Sequence, residues 1–173
     1  MSASERIVVM PHRSITATDV PHLRRCVDIA ADALAAGDEP FGSLLVGPDG
    51  TVLFEDRNRV SGGDRTRHPE FAIARWAVEH LTPAERAESV VYTSGEHCAM
   101  CSAAHAWAGL GTIVYASGTD QLMQWLTDWG VDPGPVAPLR IGEVAPHIET
   151  AGPVDDLADE VRALHARLHG IRL

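Results

Sequence analysis

The strongest constraint on this chain is a pair of short motifs, His68-Pro69-Glu70 and Cys98-Ala99-Met100-Cys101, separated by 30 positions from histidine to first cysteine. One imidazole and two thiolates are good ligands for Zn²⁺. Three protein ligands leave a fourth tetrahedral position open, which is the layout of a catalytic zinc site. Glu70 would stand beside that position and off the metal. For these groups to meet, the fold must bring residue 68 onto residues 98–101. Proline is favoured at the first helical position, where its missing N–H is not needed, so Pro69 predicts a helix running to about Leu81. A small-residue helix is predicted from Ala99 to about Gly109. His68 and Cys98 then each immediately precede a helix, and Cys101 lies in the first turn of the second. Two such helix starts facing each other surround the site with partial positive charge, which lowers thiol pKa.

A C-x-x-C pair alone also fits a structural zinc site or a redox pair. A closed structural site needs a second Cys or His pair of that kind, and the sequence has none. The redox reading would leave His68-Pro69-Glu70 without a role. One Zn²⁺ per chain is therefore expected, held by His68, Cys98 and Cys101, with Glu70 as the catalytic carboxylate. The third cysteine, Cys26, sits in an apolar helical pattern and reads as a small core residue.

The length of 173 residues suits one domain with a full core. No apolar run approaches the roughly 20 residues that cross a bilayer. The opening residues lack a secretory signal pattern, so the chain reads as cytoplasmic with no membrane partner. A net charge of −10 opposes long-range attraction to phosphate backbones, and a nucleic-acid partner is not expected. Arg57, Arg59, Arg65 and Arg67 are close in sequence and could still form a local basic patch. All 14 basic residues are arginine, which reads as compositional bias.

Residues 1–16 read as an N-terminal arm and 17–173 as a single domain, its C-terminal helical and loop segment covering about 118–173. Thr18 is the expected N-cap of a helix with Leu23, Val27, Ala30, Ala31 and Leu34 on its apolar side, stopping at Gly37. Phe41 to Val46 reads as a buried strand. Pro48-Asp49-Gly50 turns the chain into a returning strand at Thr51 to Phe54. Short strands are predicted at Val90–Thr93 and Thr112–Ala116, helices at 119–129 and 154–169, and a proline-rich loop at 130–140. One more strand could lie within 130–150. Strands alternating with helices imply an α/β sheet covered on both faces, and the hairpin makes that sheet mixed.

H-x-E followed by C-x-x-C resembles the zinc-dependent cytidine/deoxycytidylate deaminase superfamily. The resemblance extends through Pro40-Phe41-Gly42-Ser43-Leu44-Leu45-Val46, through Asn58-Arg59-Val60, and through Tyr92 to Cys101, and so covers about residues 20–117. It is closer to the guanine deaminase-like nucleobase branch than to the short cytidine deaminases. The resemblance implies a three-layer α/β/α sandwich with a five-stranded mixed sheet, a homodimer, and hydrolysis of an exocyclic amine on a free guanine-, cytosine- or triazine-like ring, with release of ammonia. It implies Asn58 and Phe41 as substrate-binding residues and Glu70 as the proton shuttle. Two positions depart from the family pattern: His97 stands where proline is usual, and Pro69 where alanine or cysteine is usual. The alternatives are a tRNA adenosine deaminase, a nucleoside (cytidine-type) deaminase and a non-catalytic zinc-stapled interaction domain.

Trp125 and Trp129, one turn apart, fit either core packing or a pocket wall for a flat ring. Glu143, Glu149 and Asp155 lie in or beside the C-terminal loops, and Glu143 is the candidate reader of a substrate N–H. Glu96 is expected to orient the cysteine loop. His97 reads as a pocket wall or as a support behind the metal ligands, and His105, His165 and His169 as ordinary packed or exposed side chains.

Overall fold

Helix α1 (Asp19–Ala35) buries Leu23, Val27 and Ala30 of the expected apolar side, together with Cys26, Ile29 and Ala33, while Ala31 and Leu34 are only partly buried against the same core. The structure is a computed structural model that describes residues 12–173. Most of the predicted arm, residues 1–11, lies outside the described residues. Residues 12–16 run beside the final strand, where Arg13 N–H donates to the Thr150 carbonyl at 2.9 Å. Thr18 makes no side-chain cap. Its expected part is taken by Asp19, whose Oδ2 accepts from the Thr16 amide at 2.8 Å while its two oxygens also pair with Arg13.

Strand β1 (Gly42–Val46) and strand β2 (Val52–Arg57) form the hairpin. The second strand runs three residues beyond Phe54. Helix α2 (Pro69–His80) starts on the expected proline. A short helix, α3 (Pro83–Glu88), follows that the apolar periodicity did not reveal. Its signal is polar: Thr82 and Glu85 cap each other in a capping box, with Pro83 at the first position. Next come β3 (Val90–Gly95), α4 (Ala99–Ala108), β4 (Thr112–Ser117) and α5 (Thr119–Trp129). The proline-rich loop leads to a single turn, α6 (Ile141–Val144). A fifth strand, β5 (Thr150–Ala151), falls at the end of the 130–150 stretch and not inside it, and α7 (Asp155–Leu168) closes the chain.

The strands make one five-stranded sheet in the order β2-β1-β3-β4-β5. β1 is antiparallel to both β2 and β3, whereas β3, β4 and β5 are parallel. The sheet is therefore mixed, as the resemblance implies. Side chains alternate across it. Leu44, Val46, Tyr92, Val114 and Ala116 face α1, α5 and α7, forming one core with Leu23, Trp125 and Leu164. Leu45 and Val91 face α2 and α4, joining Ile73, Ala74, Ala77 and Ala108 in a second. Helices on both faces give the three-layer α/β/α sandwich. At Gly42 a Cβ would lie 2.6 Å from the Cys26 carbonyl and from the Ile29 Cβ, so glycine lets α1 lie close on β1.

This topology places the motifs. β2 and β3 point the same way because each is antiparallel to β1. The helix after each runs back along the sheet, so α2 and α4 lie side by side with their N-termini at the same sheet end. Open α/β sheets bind ligands outside the carboxyl ends of their strands, and both motifs stand there.

Candidate active site

His68 occupies the N-cap position of α2 with extended backbone (φ −87°, ψ 141°), and Cys98 does the same for α4 (φ −66°, ψ 170°). Extended backbone at these positions turns each side chain across the helix start. The ligand atoms of His68, Cys98 and Cys101 all lie within 4.8 Å of one another. His68 Nδ1 is 3.7 Å from Cys98 Sγ and 3.6 Å from Cys101 Sγ. Tetrahedral angles at bond lengths of about 2.0–2.1 Å to nitrogen and about 2.3 Å to sulfur separate such atoms by about 3.6 Å. The donor set and its spacing fit zinc.

The cysteines share a proton unequally. A hydrogen bond from Cys101, reinforced by His68, pulls the Cys98 thiol down to about 4. Cys101, as donor and almost fully buried, is pushed well up. His68 is raised by its hydrogen bond to Cys98. The Cys101 amide in the first helical turn also favours the Cys98 thiolate.

Glu70 is 5% exposed. Ser43 Oγ donates to its Oε1 at 2.8 Å, and Thr93 Oγ1 lies 3.1 Å from the same oxygen. Oε2 faces the cysteines, 3.6 Å from Cys101 Sγ. Burial raises the pKa of this carboxyl, opposed by the charge of His68 and the Ser43 hydrogen bond. Ser43 and Thr93 were not among the residues singled out from sequence. Their signal was available: both sit in apolar strand runs, on the side facing α2.

Asn58 is fully buried, with its backbone N–H donating to the Phe41 carbonyl at 3.0 Å. Its Oδ1 accepts from the Val60 amide at 3.1 Å, while its Nδ2 has no hydrogen-bond partner among the described residues. A buried amide donor left over is costly unless a ligand takes it. The Phe41 ring lies over Gly95, where a Cβ would come within 3.0 Å of it. Its edge meets His165 with centroids 5.0 Å apart.

The remaining candidates lie elsewhere. Trp125 is buried in the core beneath α1 and α7, on the opposite side of the sheet from α2 and α4, 6.3 Å from the His165 ring. Glu143 is exposed, and its Oε2 accepts from the Arg140 amide at 2.9 Å at the start of α6. Glu96 accepts from the Thr119 amide at 2.8 Å and the Ile141 amide at 3.0 Å. It ties the starts of α5 and α6 to the loop that carries the cysteines. His97 is 1% exposed, its ring 5.5 Å from that of His105.

Comparison with known proteins places this geometry. The sequence model described as "Cytidine and deoxycytidylate deaminase zinc-binding region" matches residues 16–117. A probable cytosine deaminase of Schizosaccharomyces pombe is 30% identical over 148 residues, 83% of this chain and 89% of the relative. A guanine deaminase of Bacillus subtilis is 35% identical over 97 residues, 55% of this chain and 62% of the relative. Among solved structures, a guanine deaminase from Nitrosomonas europaea superposes with a TM-score of 0.67 at 21% identity, covering 94% of this chain and 90% of that one. That last likeness concerns the fold.

Proposed function

This chain belongs to the cytidine and deoxycytidylate deaminase zinc-binding family, and from that membership we propose that it hydrolyses the exocyclic amine of a free nucleobase to a carbonyl, releasing ammonia. The observation that carries the reading is the placement of Glu70. A water-excluded carboxylate stands 3.6 Å from Cys101 Sγ, held by hydroxyls and in no salt bridge among the described residues, beside three groups that would leave a fourth position open on a tetrahedral ion. A purely structural zinc site has no use for it.

His68, Cys98 and Cys101 would hold the zinc, which when bound would supply a Lewis acid able to make water acidic near neutral pH. Glu70 does the proton work. Its Oε1 is fixed by Ser43, so Oε2 is the oxygen free to take the proton of the attacking water. Glu70 passes that proton to the ring nitrogen beside the amine-bearing carbon as the new C–O bond forms. It then carries the water's second proton to the amine, which leaves as ammonia when the C–N bond breaks. A raised pKa suits a group that must accept and return a proton. Asn58 Nδ2 donates to an acceptor on the ring edge, and Phe41 walls the ring. Trp125 and Glu143 stand outside this set.

Support for a free base comes from the cytosine and guanine deaminases among the relatives and from the net charge of −10, which opposes a polyanionic substrate. We further propose a homodimer located in the cytoplasm, the dimer being the form that the family resemblance implies. The test is ammonia release from free bases, nucleosides and a tRNA stem-loop. Turnover of a base above its nucleoside supports the reading, and turnover of RNA alone overturns it.

A further inference from the structure

Two stretches of chain carry the residues proposed to hold the ring. The link from α1 to β1 carries Phe41, and the segment that leaves β2 carries Asn58. Asp38 joins the two. It is 4% exposed, and its backbone N–H donates to the Ala33 carbonyl at 3.0 Å, which seats it on the last turn of α1. Its Oδ1 accepts from the Ser61 amide at 2.8 Å and its Oδ2 from Arg57 Nη1 at 2.6 Å. The same Arg57 nitrogen donates to the Asn58 carbonyl at 3.0 Å. One carboxylate therefore grips the segment 57–61 on both sides of Asn58. The hydrogen bonds from Ser61 and Arg57 hold the Asp38 carboxyl below the ordinary carboxylate value.

This grip constrains the Asn58 side chain. Its backbone N–H, its carbonyl and its Oδ1 are taken by Phe41, Arg57 and Val60. The Val60 amide can only donate, so Oδ1 must face it and Nδ2 is left over as the donor. The amide after it, that of Ser61, is the one tied to Asp38. The Asn58 donor is thus set before any ligand arrives, and a group set in advance loses less freedom on binding. Glu39 supplies a contrast. It also pairs with an arginine of this loop, Arg65 at 3.0 Å, but that arginine is 74% exposed, and such a pair contributes little.

We propose that Asp38 is a positioning residue for substrate binding, fixing Asn58 Nδ2 through Ser61 and Arg57. The proposal rests on the deaminase reading above and adds the device that sets the amide. The side-chain bonds of Asp38 run to Ser61 and Arg57 and not to Glu70 or the metal ligands, so its loss should fall on KM and spare kcat.

The test is a mutant cycle in kcat and KM for ammonia release from the best free base, with the zinc-loaded full chain. Asp38→Ala should raise KM about tenfold, roughly the worth of one hydrogen bond, with kcat within about threefold and zinc content unchanged. Arg57→Gln breaks one arm and leaves the Ser61 bond, so it should raise KM by less, about threefold. It carries the cycle if Asp38→Ala does not fold. Glu39→Gln should leave both constants unchanged. Asn58→Ala should raise KM about tenfold or more, and adding Asp38→Ala or Arg57→Gln to it should raise KM no further, because the group they set is gone. A merely structural role would add its cost in either background. An unchanged KM in the Asp38 and Arg57 variants, a loss confined to kcat, or effects that multiply with Asn58→Ala would overturn this proposal and leave the deaminase reading standing. A wild type that releases ammonia from no free base overturns both.

Discussion

Glu70 has almost no access to water, and its two oxygens meet different neighbours: hydroxyls at Oε1, a metal ligand at Oε2. That asymmetry separates holding the carboxylate from using it. Glu70→Gln keeps the size and the Ser43 contact but cannot carry a proton. The variant should retain zinc and lose about 10²- to 10⁴-fold in kcat, the usual worth of general acid–base catalysis. Steady-state kinetics with metal analysis checks this. More than about a tenth of wild-type kcat would remove Glu70 from the proton path. At this scale the sequence was informative for His68, Glu70, Cys98 and Cys101, because chemistry restricts which residue types can serve and helix starts fix their spacing. It was less informative for Ser43 and Thr93. A hydroxyl in an apolar strand looks the same whether it faces a carboxylate or a neighbouring carbonyl. Trp125 could be read two ways because an indole one turn from another suits a core and a pocket equally. Only the side of the sheet decides between them, and that is a tertiary fact.

At the scale of elements, the site is a junction of two helix starts. α2 and α4 meet there because β2 and β3 run in the same direction, and a metal bound by His68 and the two cysteines would clamp them together. Cys98→Ala should therefore lose zinc and lower the thermal midpoint, since metal binding free energy is also folding free energy. Full zinc occupancy in the variant, by elemental analysis, would reject the ligand set. The long elements were legible from period and punctuation: Pro69 opens α2 as expected, and α4 ends at Gly109, whose φ is +70°. Short elements were not. α3 and α6 have six and four residues, too few for an apolar period to show. β5 has only two residues and forms by pairing with β4, a partner far away in sequence.

Across the whole molecule, two histidines outside the site give stability a pH dependence. Burial holds His105 down to about 4 and His165 down to about 3. His105 Nε2 donates to the Gly111 carbonyl at 2.7 Å, while His165 packs against Phe41 and Trp125. Both stay neutral in the fold and gain a proton near pH 6.5 when unfolded. Between those values the unfolded chain binds more protons, so stability is complete above about pH 7 and falls as pH drops below 6.5. At pH 5 each histidine should have cost about 2 kcal/mol. Thermal melts of wild type and His165→Gln from pH 8 to 5 check this. The variant should lose less than the wild type on acidification, and equal losses would contradict the burial argument. The three-layer architecture followed from the alternation of strands and helices together with the motif resemblance. The exposure of Trp107 had no such signal, because a tryptophan in an alanine-rich helix could as well have been buried.

The account's central claim is that Glu70 and the zinc ligands form a deaminating site for a free base. It is tested most directly by kcat/KM for ammonia release from guanine, cytosine, their nucleosides and a tRNA anticodon stem-loop, at one salt concentration, with Glu70→Gln as control. The account predicts that a free base is the best substrate, with its turnover abolished in the control. Highest kcat/KM on the RNA, or ammonia release that persists in Glu70→Gln, would contradict it.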